Sequence, residues 1–313
     1  MNNETFYFPS ADGISRIFAQ RWLPAGPPRA IVQIIHGASE HSARYSEFAG
    51  FLTQAGLGVA AHDHIGHGKS VAEGQRFCFF AEEGGWDMAL TDINQLHVLT
   101  QKHWPYLPYF MLGHSMGSFL LRSYLFSKKA AALSGAIICG SGNFSLLRKK
   151  IAELLIKAEK KRLGAQGISP LLASVIQGGY NRQFRPNRTA ADWLSSDNLM
   201  VDEYLADPFC RKLPTVGLND DINRSMASVR KLSNILRMDK TVPLLLISGD
   251  NDPLGANGRA VRKLYAQLKK AGCVDVNLRL YPGCRHALLH ERNRQEVFAD
   301  ITEWLNRVIQ TRC

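Results

Sequence analysis

Apolar residues along this chain fall into blocks at two alternating spacings. Ala30–Ile35, Leu57–His62, Tyr109–Leu112, Ala136–Cys139, Pro243–Ser248 and Val274–Tyr281 are short, nearly unbroken apolar runs, the pattern of strands buried on both faces. Between them, Arg44–Gln54, Asp87–His103, Ser115–Phe126, Gly258–Ala271 and Glu291–Gln310 repeat apolar side chains every three or four residues, as helices do. Thr5–Phe8 and Ile17–Leu23 flank Ser10-Ala11-Asp12-Gly13, which predicts two opening strands joined by a turn. The alternation predicts an α/β fold: a mainly parallel central sheet with helices on both faces.

The alternation stops at about Gly142 and resumes at Val242. Helical patterns without a strand fill the gap, and Gly142 to Ile235 carries 15 Lys and Arg against 9 Asp and Glu. This predicts a catalytic core of residues 1–141 and 236–313 interrupted by a helical cap, residues 142–235. Such a cap would lie over the carboxyl edge of the sheet, where open α/β sheets bind ligands. Within it, Leu147, Ile151, Leu154, Leu155 and Ala158 share one helical face, with Lys149, Lys150, Lys157, Lys160 and Lys161 largely elsewhere. That face would pack on the core or lie on an anionic membrane surface.

Composition narrows the class. With 45% hydrophobic and 21% charged residues the 313-residue chain is ordinary for a globular protein, and no apolar run approaches a membrane span. The first residues lack the pattern of a secretory signal. Cys78, Cys139, Cys210, Cys273, Cys284 and Cys313 follow neither metal nor disulfide spacing. These features predict a cytoplasmic protein, and the net charge of +11 adds peripheral contact at the inner membrane surface through the basic cap. No aromatic-basic motif points to nucleic acid.

The chemistry centres on Gly113-His114-Ser115-Met116-Gly117, set between a strand and a helix. Strand, Gly-x-Ser-x-Gly, helix is the nucleophile elbow, a sharp turn that presents a strained serine. A serine hydroxyl needs a base, and the base needs an orienting group. Two later strands run into Gly249-Asp250-Asn251-Asp252-Pro253 and into Tyr281-Pro282-Gly283-Cys284-Arg285-His286, at the same sheet edge as Ser115. His286 is the candidate base, with His290 as a rival placed at the start of the next helix. Asp250 and Asp252 are both candidate acids, Asp252 lying further beyond its strand. Backbone amides of Ala38, after the strand Ala30–Ile35, and of Met116 are candidate oxyanion donors.

Two further motifs fall away. His62-Asp63-His64-Ile65-Gly66-His67 has the spacing of binuclear zinc hydrolases but Gly66 where an Asp is needed. Gly68-Lys69-Ser70 resembles a phosphate-binding loop but has Asp63 in place of the required glycine. No metal and no cofactor are expected.

The chain resembles the monoglyceride lipase and lysophospholipase branch of the α/β-hydrolase superfamily, bacterial members in particular. The resemblance rests on His36-Gly37-Ala38-Ser39-Glu40-His41-Ser42-Ala43-Arg44-Tyr45, the 62–70 loop, Leu112 to Gly117, the 249–253 turn, and Tyr281 to Glu291. Ser118 stands where a third glycine is common. The resemblance implies Ser115 as nucleophile, Asp252 as acid, His286 as base and the Ala38 and Met116 amides as oxyanion donors. It also implies that the 62–70 loop is structural. The expected function is hydrolysis of carboxylic esters through an acyl-enzyme, on monoacylglycerols or lysophospholipids. A short-chain carboxylesterase or thioesterase, and a slow or non-catalytic binding protein on the same fold, are the alternatives.

Overall fold

The computed structural model describes residues 2–127, 130, 133–142, 146–176 and 178–312. Its centre is an eight-stranded sheet in the order β1-β2-β4-β3-β5-β6-β7-β8. The strands are β1 (Asn2–Pro9), β2 (Arg16–Leu23), β3 (Ile31–Ile35), β4 (Gly58–His62), β5 (Tyr109–His114), β6 (Gly135–Cys139), β7 (Leu244–Gly249) and β8 (Val276–Tyr281). β1 pairs antiparallel with β2 and β2 antiparallel with β4; from β4 to β8 every pairing is parallel. All strands expected from the apolar runs are present, with ends shifted by up to three residues.

Two cores explain why the central strand runs are nearly unbroken in apolar residues. Ile31, Ile35 and Met111 face one core, with Ile93 and Leu96 of α2 (Gly85–His103), Leu120 and Leu121 of α3 (Met116–Leu125), and Leu264 and Leu268 of α9 (Arg259–Lys270). Val32, Ile34, Phe110 and Leu112 face the other, with Phe48 and Leu52 of α1 (Ser46–Gln54) and Phe298, Ile301 and Leu305 of α10 (Arg294–Arg312). Successive strand residues point to opposite faces, and both faces of the central strands are covered, so both are mainly apolar. Gln33, the buried exception in β3, donates to the Ile93 carbonyl and accepts from the Tyr109 hydroxyl.

Between β6 and β7 the described residues form helices and no strand: α4 (Leu146–Leu163), α5 (Pro170–Ile176), α6 (Asn198–Ala206), α7 (Val216–Ser228) and α8 (Leu232–Arg237). Arg122 of α3 ties both ends of this insertion to the core. Its guanidinium, 3% exposed, donates to Ser141 Oγ and the Gly142 carbonyl at one end and to the Val229 carbonyl, at 3.0 Å, at the other. Burial without a carboxylate partner pulls this guanidinium down to about 9.

The apolar face expected for α4 is only partly the face that packs. Leu155, Ile156 and Leu163, with Ala152, meet Leu172 of α5 and Val216 of α7. Ile151 and Leu154 stay 47% and 69% exposed, and Ala158 is exposed too; the side chain of Leu147 lies outside the described residues. The helix is rotated because its neighbours are α5 and α7 of the insertion, not the sheet. His290 also differs from expectation. It ends a short 3₁₀ turn, Leu288–His290, and α10 begins only at Arg294.

Gly117 shows how tightly α3 meets the sheet. A Cβ there would lie 2.0 Å from the Ile35 carbonyl oxygen and 2.6 Å from that of His36. Neither backbone oxygen can yield, so Gly117→Ala is expected to cost about 3 kcal/mol or more, or to abolish folding. Denaturant unfolding of the variant checks this; a midpoint equal to the wild type would refute the close approach.

Candidate active site

Ser115 sits between β5 and α3 with φ 54° and ψ −119°, a conformation L side chains rarely adopt. The neighbouring glycines make the turn possible: a Cβ on Gly113 would lie 2.4 Å from the Gly117 carbonyl oxygen. The loop after β3 passes close by, so that a Cβ on Gly37 would come within 3.0 Å of the Ser115 Cβ. Ala38 and Met116 line the same cavity as Ser115.

The loop's shape is set by Glu40, which is almost fully buried. Its Oε1 accepts from the Gly37 N–H at 2.6 Å and the Tyr45 hydroxyl at 2.8 Å, and lies 2.9 Å from His114 Nδ1. Burial alone would raise this carboxyl, but His114 and Arg44 outweigh it and hold it well below the usual range. Glu40 therefore stays ionised and pins the loop after β3 to the residue preceding Ser115. The motif containing it was visible in the sequence, but nothing there distinguished Glu40 as its hub.

His286 follows β8 and Asp252 follows β7; they are 1% and 0% exposed. His286 Nδ1 lies 3.0 Å from Asp252 Oδ2, and Asp252 Oδ1 accepts from the Leu254 N–H at 2.8 Å. Asp250 turns elsewhere, accepting from the Gly283 N–H at 2.8 Å. His290 lies away from both acids: its Nε2 meets the Arg44 carbonyl at 3.0 Å, and burial pulls its imidazole down to about 3. His286 Nε2 has no hydrogen-bond partner among the described residues, so the bond to Ser115 is not formed in this state, although both residues line one cavity. Such bonds commonly tighten only when substrate is bound.

The residues 62–70 build a support under the loop after β3. Asp63 Oδ1 accepts from the Ser42 N–H and hydroxyl, and Oδ2 from the Lys69 N–H. His36, His62, His64 and His67 pack ring against ring, and the His64 N–H donates to His36 Nε2 at 3.0 Å. Among the described residues, three metal-type donors converge only at His41, Asp207 and Cys210. There His41 and Asp207 already satisfy each other at 2.8 Å, and Arg44 Nη1 stands 3.9 Å from Cys210 Sγ. That arrangement links insertion to core through a hydrogen bond and places the Arg44 cation beside the thiol.

The cavity over Ser115 and His286 measures about 970 Å³. Phe119, Ile151, Ile176, Met226 and Leu254 contribute apolar wall, and Glu40 is the sole carboxylate among its described lining residues. A family model described as serine aminopeptidase, S33, matches residues 26–293. The chain belongs to that family. Its relatives place it on the monoglyceride lipase branch of the α/β-hydrolases. The monoglyceride lipase of Mus musculus is 30% identical over 304 residues, 96% of this chain and 89% of the relative. The monoacylglycerol lipase of Mycolicibacterium smegmatis is 27% identical over 311 residues, 95% of each chain. A solved carboxyl esterase from Bacillus coagulans, in complex with glycerol, superposes with a TM-score of 0.91 at 30% identity over 99% of both chains. Hydrolysis of carboxylic esters is the class of reaction that goes with this membership. No helix among the described residues is long and apolar enough to cross a membrane.

Proposed function

We propose that this hydrolase cleaves monoacylglycerols or lysophospholipids through an acyl-enzyme. Ser115 is the nucleophile, His286 the base, and Asp252 the carboxylate that orients the imidazole and stabilises its charged form. As the Ser115 Oγ–acyl carbon bond forms, the Ser115 proton passes to His286 Nε2, and the oxyanion is received by the Ala38 and Met116 amides. The proton then moves to the leaving alkoxide as the ester C–O bond breaks. Water repeats the sequence, with His286 taking its proton, and frees the fatty acid.

The cavity is the observation that carries this reading. At about 970 Å³ it stands at the upper end of the roughly 300–1,000 Å³ usual for small-molecule sites. Residues 142–235 act as its cap, supplying Ile151, Ile176 and Met226 to an apolar wall. Each methylene buried there is worth up to about 0.8 kcal/mol, which favours long acyl chains. Glu40 is consumed by its own hydrogen bonds, so no lining carboxylate is free to recognise an α-ammonium. This weighs against the peptidase activity in the family model's description. Arg182 and Arg259 are exposed lining residues, which suits a neutral or phosphorylated head group. Exposed Leu154 and Leu171, with exposed Lys150, Lys157 and Lys161, support peripheral contact of the cap with an anionic lipid surface.

Hydrolysis across an acyl-length series of monoacylglycerols, lysophospholipids and p-nitrophenyl esters tests the reading, with Ser115→Ala as control. The rate is expected to rise to chains of about 12–18 carbons and to vanish in the variant. A maximum at about 2–4 carbons would instead favour a short-chain carboxylesterase or thioesterase with little use for the apolar wall. Absence of Ser115-dependent turnover at every length would favour a binding protein.

A further inference from the structure

The loop carrying His286 is clamped by the insertion. Arg285 Nη1 donates to the carbonyls of Asp192 and Ser195, and the Ala287 N–H donates to the Leu194 carbonyl at 2.7 Å. Ser195 Oγ donates to the His290 carbonyl at 2.7 Å. Glu291 accepts from the Arg285 N–H at 2.6 Å and also from Ser196. Both neighbours of His286 are thus bonded to one short segment of the insertion.

That segment carries Trp193, and its indole lies against the His286 imidazole. The ring centroids are 4.9 Å apart and the planes 32° from parallel. Tyr180 backs the indole at 4.9 Å, and the backbone N–H of Trp193 donates to Asn181 Oδ1 at 2.8 Å. The indole is therefore held on a framework bonded to the base's own loop.

An indole face is the negative end of the ring quadrupole, and it attracts a cation most strongly where water is excluded. His286 is 1% exposed. A neutral imidazole gains little from that field, whereas an imidazolium gains more. In acyl transfer the imidazolium exists only between removal of the nucleophile's proton and its delivery to the leaving group. Stabilisation present there and absent in the resting enzyme lowers the barrier and raises kcat.

We propose that Trp193 is a positioning residue for the hydrolysis: it fixes the plane of the His286 ring and stabilises the protonated ring with its indole face. This rests on the reading of His286 as the base. The other groups facing His286 are the Asp252 carboxylate at Nδ1 and the His114 ring, 5.0 Å away and itself bonded to Glu40. Trp193 is the contribution from the insertion. It links the cap to the chemistry as well as to substrate binding.

Trp193→Phe keeps a π face, and Trp193→Leu keeps apolar cover without one. Both are tested in the full chain on a p-nitrophenyl ester, with kcat, KM and the pH profile of kcat/KM measured. In Trp193→Leu, kcat is expected to fall about tenfold, equivalent to ~1.4 kcal/mol, with KM nearly unchanged. The acidic limb of kcat/KM should move to lower pH, because the imidazolium has lost a stabilising neighbour. Trp193→Phe should stay within about threefold of the wild type and keep its pH profile. A Leu variant as active as the wild type overturns the proposal. So does an equal loss in both variants with no change of pH profile, which marks simple packing.

A second measurement needs neither turnover nor a stable Leu variant. In wild-type protein labelled with fluorotryptophan, the fluorine resonance missing from Trp193→Phe should titrate with the base. If that resonance does not move across the acidic limb, the proposal fails. A wild type that cleaves no ester while this resonance titrates overturns the functional reading and leaves the stacking intact.

Discussion

Replacing Asp252 with asparagine is expected to lower kcat by about 10⁴ with little change in fold or KM. The carboxylate makes two contacts at the site, Oδ2 to His286 Nδ1 at 3.0 Å and Oδ1 to the Leu254 N–H at 2.8 Å. Asparagine can keep the second by accepting through its carbonyl, which leaves its NH₂ facing Nδ1. The imidazole must then present a lone pair at Nδ1 and carry its proton on Nε2, where it cannot take the proton of Ser115. Asp250→Asn provides the contrast. Asp250 only accepts from the Gly283 N–H, which an amide oxygen also does, so its loss should change kcat by no more than about twofold. Steady-state rates of the two variants on one ester separate the candidates. Full activity in Asp252→Asn, or a collapse confined to Asp250→Asn, would reassign the acid.

The choice between these two aspartates shows where reading a sequence stops. Position beyond a strand ranked Asp252 above Asp250, but only the turn geometry shows which carboxylate reaches the imidazole. The core was legible because both faces of its central strands are covered, so each of those strands is a mainly apolar run and each helix between runs an apolar stripe. The insertion was less legible. Its helices pack largely on one another, and α4 turned Ile151 and Leu154 outward because Leu172 and Val216, not the sheet, set its buried face. Trp193 carried no sequence signal at all. Its relation to His286 arises from hydrogen bonds between segments about 90 residues apart, from Arg285 and Ala287 to residues 192–195.

The buried histidines lead to the other large expectation: the protein should lose much of its stability between pH 7 and pH 5. Burial, the largest cause in each case, pulls His36, His62 and His290 down to about 3 and His97 to about 4; it also lowers His67, and His64 well below its usual value. In the unfolded chain each titrates near 6.5. The folded state therefore binds fewer protons across the window from 6.5 to about 3, and stability must fall as pH falls through it. At pH 5 each of the four histidines held at about 3 to 4 contributes a loss of about 2 kcal/mol, about 8 together, and His64 and His67 add to it in the same direction. Two carboxyls oppose this. Burial raises Asp92 to about 6 and Asp221 to about 7, and protonating them in the same range returns roughly 4 kcal/mol. A loss of about 4 kcal/mol remains before His64 and His67 are added, a large fraction of the whole stability of an ordinary domain. Melting curves from pH 7.5 to pH 5 should show Tm falling by at least roughly 8 °C, at about 2 °C per kcal/mol for a chain of this size. His62 offers an internal check, since neither of its ring nitrogens has a partner among the described residues. His62→Leu should make the pH dependence shallower by one histidine's share. A Tm that is flat or rises on acidification would mean that these imidazoles are hydrated or charged in the folded protein.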